Sequence, residues 1–114
     1  MDFSDIATLQ AEIYACLDKQ DKMRDEFAVA RQIAEYDGER RKMLLAKAVQ
    51  DAPGKSIAER EVNARASQAY YDALTVLAGA YIDSQRVISR YHGLQSKMDA
   101  LRSILSTQKA MAQI

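Results

Sequence analysis

Apolar side chains recur along this chain at alternating steps of three and four. In its first part the row reads Ile6, Leu9, Ile13, Cys16, Gln20, Met23, Phe27, Ala30 and Ala34, with Leu17 and Ile33 widening it. In its second part it reads Tyr70, Leu74, Leu77, Tyr81, Ser84, Ile88 and Tyr91. A step of three then replaces the expected four, and the row resumes through Leu94, Met98, Leu101, Leu105, Gln108 and Ala112. Such alternation is the seam by which one helix pairs with another. The short step is a stammer, which overwinds or re-aims the seam locally, and Gly93 lies inside it. Gln20 interrupts the first seam, either as a buried polar residue that fixes register or as a solvent-facing glutamine at a loose point.

Punctuation divides these rows into two arms. Asp2 and Ser4 are good N-caps for the first, with Asp5 favourable in its first turn. Asp37-Gly38 is a pair that often makes a turn, but helical signals resume at once from Glu39 to Val49. A kink or a tolerated glycine is therefore expected there, at a cost of roughly 1 kcal/mol relative to alanine if the helix is continuous. The definite break is Asp51-Ala52-Pro53-Gly54-Lys55, because proline followed by glycine stops a helix. Ser56-Ile57-Ala58-Glu59 then has capping-box spacing, in which serine oxygen and glutamate satisfy each other's backbone donors. From Ser56 to Gln113 there is no proline, and Gly79 and Gly93 are the only glycines. The expected architecture is all-α, a single domain made of one long, antiparallel, coiled-coil-like helical hairpin. Arm one spans 3–50, the turn 51–55 and arm two 56–113. At ~1.5 Å per residue the second arm would run roughly 80 Å. Both stripes are wider than a strict seam, as at Tyr70-Tyr71, Leu44-Leu45 and Ile104-Leu105, so a lone hairpin would leave apolar surface wet. Assembly into a homo-oligomer is the expected remedy.

Composition fits this picture. With six tyrosines, two phenylalanines and no tryptophan, the core must come from aliphatic residues and tyrosine, as in helix-on-helix packing. The longest uncharged run, between Asp72 and Asp83, is far short of the ~20 residues of a bilayer crossing. The opening Met1-Asp2-Phe3-Ser4-Asp5 is acidic where a signal peptide would be basic, so a cytoplasmic protein without a membrane partner is expected. Net charge is zero, but unevenly spread. Residues 1–37 carry four basic and nine acidic side chains, and the remainder twelve basic and seven acidic. Such asymmetry suits a polyanion-binding region with an acidic counterpart, or two helices that attract each other.

Little in the chain points to catalysis. His92 is the only histidine and Cys16 the only cysteine, so no metal site or histidine-based triad can be assembled from them. Cys16, on the apolar face, reads as a small buried hydrophobe. Glu59 with Glu61, and Asp25 with Glu26, are near neighbours on a helix that point in different directions. Pro53-Gly54-Lys55-Ser56 echoes only the end of a phosphate-binding loop. No enzyme, metal or cofactor is expected.

Binding remains, and basic residues are the material for it. Around the turn stand Arg40, Arg41, Lys42, Lys47, Lys55, Arg60 and Arg65, against Glu39, Asp51, Glu59 and Glu61. Farther along, Arg86, Arg90 and Lys97 share one helical stripe through steps of four and seven, and Arg102 and Lys109 form a second. Such rows can track a phosphate backbone, while Tyr36, Tyr70, Tyr71, Tyr81 or Tyr91 could stack on unpaired bases where exposed. The same spacing also suits solvated flanks, or pairing with Asp18, Asp21, Asp25 and Glu26 on the opposite arm.

Ala66 to Leu105 runs Ala-Ser-Gln-Ala-Tyr-Tyr-Asp-Ala-Leu, onward to Arg-Val-Ile-Ser-Arg-Tyr-His-Gly-Leu and Met-Asp-Ala-Leu-Arg-Ser-Ile-Leu. Its tyrosine-led amphipathic start, the isoleucine and arginine around Ile88 and Arg90, and the Asp-x-x-Arg-Ser near the C-terminus resemble the UvsY-type recombination mediators of bacteriophage. The resemblance covers about a third of the chain. It implies a self-associating, non-enzymatic protein that binds single-stranded DNA and helps load a recombinase onto strands covered by single-strand-binding protein. It also implies DNA-contacting roles for Arg40, Arg41, Lys42 and Lys47. The acidic first arm and zero net charge depart from that pattern; alignment of many weak basic patches in an oligomer would compensate through avidity. A reading from another class is a small phage protein that docks on a host or phage protein through its apolar stripe. Its acidic arm, with Asp18, Asp21, Asp25 and Glu26, would then imitate nucleic acid. A structural coiled-coil adaptor is a third.

Overall fold

The computed structural model describes residues 5–113, and among these every regular element is a helix. The four helices are α1 (Ile6–Lys22), α2 (Arg24–Asp51), α3 (Ile57–Arg65) and α4 (Gln68–Ala112). The expected caps at Asp2 and Ser4 lie outside the described residues. Asp5 caps α1 instead of occupying its first turn. Its carboxylate accepts from the Ala7 N–H at 3.0 Å and from the Thr8 hydroxyl at 3.1 Å. Lys19 and Lys22 occupy the last turn of α1, where a cation complements the helix dipole.

Two interruptions differ from the two-arm expectation. The first arm breaks at Met23, where one N–H is shared between the carbonyls of Lys19 and Gln20, both at 3.1 Å. It does not break at Asp37-Gly38, which α2 passes through without a gap. The second arm is divided at Ala66-Ser67. There the Ser67 hydroxyl donates to the Ala64 carbonyl at 2.8 Å and accepts from the Tyr70 N–H at 3.2 Å, closing α3 and opening α4 with one side chain.

The proline-glycine corner forms as expected. The residue before a proline is steered out of the helical region, and α2 accordingly ends at Asp51. Gly54 has φ +152°, and a Cβ there would lie 2.9 Å from the Arg60 nitrogen, so only glycine fits. Asn63 Nδ2 donates to the Pro53 carbonyl at 2.7 Å and Arg60 Nε to the Gly54 carbonyl at 3.1 Å. The capping box is shifted by one residue. Ser56 Oγ accepts from the Glu59 N–H at 3.1 Å, while the Glu59 carboxylate accepts from Lys55 N–H, also at 3.1 Å.

The chain forms two compact units. The terminal unit comprises residues up to Ala28 and from Arg86 onward, and the central unit Val29–Gln85. In the terminal unit α1 and the first residues of α2 run antiparallel to the C-terminal part of α4: Glu12 faces Lys97 and Gln20 faces Gln95 and Tyr91 from α1, and Glu26 faces Arg90 from α2. Leu9, Ile13, Cys16, Met98 and Leu101 form the core, flanked by Leu94 and Leu105. Phe27 stacks on Tyr91 with ring centroids 3.8 Å apart. In the central unit only Ala30, Ala64 and Ser84 are fully buried, so its core is thin.

The predicted seams are the covered faces. From Ile6 to Ala34 every seam residue is buried or half-buried, and on α4 only Tyr81 and Ala112 are exposed. The three-residue step at Tyr91–Leu94 keeps both side chains half-buried in one uninterrupted helix. Gln20 is buried, and its Nε2 donates to the Tyr91 carbonyl at 3.4 Å and to Gln95 Oε1 at 3.2 Å. Cys16 is buried in the apolar core.

Candidate nucleic-acid interface

Seven of the predicted cations belong to the central unit and three to the terminal unit. α2 carries Arg40, Arg41, Lys42 and Lys47, the corner carries Lys55, and α3 carries Arg60 and Arg65. Arg41 Nε lies 2.8 Å from Asp37, Lys42 3.5 Å from Glu39 and Arg65 3.3 Å from Glu61. All three are pairs within one turn of the same helix. Arg60 is committed to the Gly54 carbonyl. Arg40, Lys47 and Lys55 are exposed, and among the described residues their side chains form no ion pair. Arg40 and Lys47 stand two turns apart on one face of α2.

Beside Lys47 a cavity of about 480 Å³ opens in the central unit, bounded by Leu44, Asp51, Pro53, Tyr70 and Ala73. Of the tyrosines considered for stacking, Tyr36, Tyr71 and Tyr81 present rings to solvent, whereas Tyr70 is half-buried. Tyr91 has one ring face against Phe27. His92, exposed, meets Phe27 and Tyr91 edge-on at 5.8 and 6.3 Å.

In the terminal unit Arg86, Arg90 and Lys97 lie on α4. Arg90 reaches Glu26 at 3.6 Å and Lys97 reaches Glu12 at 3.8 Å. Arg102 lies 3.8 Å from Asp99 on its own helix. Arg90 and Lys97 also border a shallow groove of about 540 Å³, whose other cations, Lys19 and Lys22, come from α1. Met23, Gly93 and Leu94 complete it. Sequence reasoning missed these two lysines because it treated the first arm as one acidic element. The usable signal was their three-residue spacing, which puts both on one face of α1 beside the seam residues Gln20 and Met23.

No helix among the described residues is long and apolar enough to cross a membrane. Compared with protein-family models, curated proteins and solved structures, the chain finds no match.

Proposed function

We propose that this protein is a non-enzymatic, single-stranded-DNA-binding recombination mediator that helps load a recombinase or annealing protein in the cytoplasm of a phage-infected cell. In this reading a coiled-coil-like helical hairpin assembles into a homo-oligomer. The observation that carries the DNA-binding part is the set of exposed cations Arg40, Lys47 and Lys55, on α2 and at the corner that follows it, whose side chains form no ion pair among the described residues. Lys42 and Arg65 support it, because exposed pairs within a helix are worth only ~0.3–0.5 kcal/mol and yield readily to a phosphate; Arg41 is held more closely, at 2.8 Å to a half-buried Asp37. The exposed rings of Tyr36 and Tyr71 offer faces for unpaired bases. The recombinase-loading role rests on the resemblance of Ala66 to Leu105 to UvsY-type mediators.

Self-association is supported by the large apolar side chains that the central unit leaves in solvent. Met43, Ile57, Val62, Tyr71 and Val76 are each more than 60% exposed. Apolar side chains of this size, where they gather into a patch, mark protein contacts. The same surface would serve the alternative, docking on a host or phage protein. For the acidic imitation of nucleic acid, Asp18 and Asp21 are exposed and paired with Lys22 at 2.9 Å and Arg24 at 2.8 Å, pairs no stronger than those of Lys42 and Arg65.

Titration of labelled single-stranded DNA at two salt concentrations tests the proposal. Phosphate contact requires affinity to fall steeply with salt. Changing Arg40, Arg41 and Lys47 together to alanine should reduce the magnitude of the log–log salt slope by about 2, at ~0.7 per single-strand contact, with helicity kept. Absence of binding at micromolar protein and low salt would remove the DNA reading. A stoichiometric protein partner in its place would favour the alternative.

A further inference from the structure

We propose that the groove between α1 and α4 in the terminal unit is a second cradle for single-stranded DNA, with Lys19, Lys22, Arg90 and Lys97 on its phosphates. The inference rests on the DNA-binding reading above and adds a site to it. Two cations enter from each helix, so positive charge borders the groove on both sides. Between them the lining is apolar, supplied by Met23 and Leu94, and Gly93 contributes no side chain. A Cβ at Gly93 would meet nothing within 4 Å, so that stretch of the groove is open. A volume of about 540 Å³ lies in the roughly 300–1,000 Å³ range of small-molecule sites, enough to receive part of a flexible strand.

The combination of charge at the edges and apolar surface between them is what an unpaired nucleotide presents in complement. Its phosphate is anionic and its base has an apolar face, which a duplex keeps stacked inside. The existing partners of the cations do not hold the groove shut. Lys22 pairs with Asp18 in full solvent, while Arg90 and Lys97 reach Glu26 and Glu12 only at 3.6 and 3.8 Å. Lys19 forms no ion pair among the described residues. Asp18, Glu26 and Glu12 each lie beside one of these cations, so a phosphate would exchange with three carboxylates at Lys22, Arg90 and Lys97 and meet Lys19 directly.

Two variants separate charge from shape. Lys19→Ala with Lys22→Ala removes two phosphate contacts, and Gly93→Leu fills the open stretch of the groove without changing charge. Both sites are exposed and helical, and circular dichroism checks that helicity is kept. Anisotropy of labelled single-stranded DNA is followed from about 50 to 200 mM salt. The double variant should reduce the slope's magnitude by about 1.4, so that wild type loses about 7-fold more affinity than the variant over this range. Gly93→Leu should weaken binding several-fold with the slope unchanged. If wild type binds with a steep slope and both variants match it, the groove is not a DNA site, while the DNA-binding reading stands. If wild type does not bind, that reading fails and this inference with it. If the double variant keeps the DNA slope but loses self-association in sedimentation velocity, the groove belongs to a second copy and the proposal is overturned.

Discussion

Replacing Gln20 with leucine isolates what a buried polar residue does in an otherwise apolar helix contact. The side chain is only 8% exposed, and its Nε2 makes two long hydrogen bonds, at 3.4 Å to the Tyr91 carbonyl and 3.2 Å to Gln95. Bonds longer than the usual ~2.9–3.0 Å fall at the weak end of the ~0.5–1.5 kcal/mol range, so the two together contribute about 1 kcal/mol. Removing them orphans little. The Tyr91 carbonyl lies inside α4, where the helix ladder supplies its partner, and Gln95 is exposed and can turn to water. A buried leucine contributes about 1.5–3 kcal/mol, of which the methylenes of Gln20 already supply part. Gln20→Leu should therefore leave stability unchanged or raise it by up to about 2 kcal/mol. Gln20→Ala loses both the bonds and the buried stem and should cost about 1–2 kcal/mol. Urea unfolding followed by circular dichroism, at one fixed protein concentration because association would shift the midpoint, gives the difference from the midpoints if the m-value is constant. If a polar seam residue here sets register, the leucine variant should also broaden the oligomer distribution in sedimentation velocity. A loss of more than about 1 kcal/mol in Gln20→Leu would refute the reasoning, by showing that the amide bonds outweigh apolar burial.

Three backbone predictions can be checked by the same unfolding measurement. Gly54→Ala should destabilise by about 1–3 kcal/mol, since φ +152° and the approach of the Arg60 backbone admit no Cβ. Gly38→Ala should stabilise by about 0.5–1 kcal/mol, because α2 is continuous there and a methyl would meet nothing within 4 Å. Ser67→Ala should cost about 0.5–2 kcal/mol by leaving the Tyr70 N–H without its 3.2 Å acceptor. Equal stability in that variant would mean that water or a tightened backbone turn replaces the hydroxyl.

These positions also show which features a sequence can disclose. The seam was readable because burial follows the three-four period almost residue for residue, and the corner because Pro53 and Gly54 each forbid continuation for a local reason. Met23 was unreadable as a break, since its side chain keeps its seam place and the period runs through it. Ala66-Ser67 was unreadable for another reason: neither residue excludes helix, and the Ser67 hydroxyl combines a helix-closing bond to Ala64 with a helix-opening one from Tyr70 that no local spacing announces. The cations of α4 could be grouped by spacing alone, being on one helix. Their grouping with Lys19 and Lys22 depends on which face of α1 meets α4, and that is fixed by the pairing of distant segments.

The same distinction bears on the zero net charge, the chief objection to a DNA-binding reading. Net charge sums over the chain, but at physiological salt a charge is felt over only about 8 Å, so a phosphate responds to the few groups beside it. On α1 the acids Asp18 and Asp21 have cationic neighbours within one turn, and their fields are largely local. Near the corner Arg40, Lys47 and Lys55 have Asp37, Asp51 and Glu59 within a turn, yet among the described residues their side chains close no ion pair with them. Attraction of this kind is short in range and weak per copy. Its usefulness would therefore depend on how many copies are held along one strand, and in the proposed oligomer the exposed apolar side chains of the central unit would hold them. Affinity for DNA should then rise with strand length more steeply than the number of sites, and a charge-neutral Met43→Gln, Val76→Gln pair that prevents association should abolish that excess while leaving the salt slope on a short oligonucleotide intact. Loss of short-strand binding in the same variant would instead place these residues in the DNA contact itself.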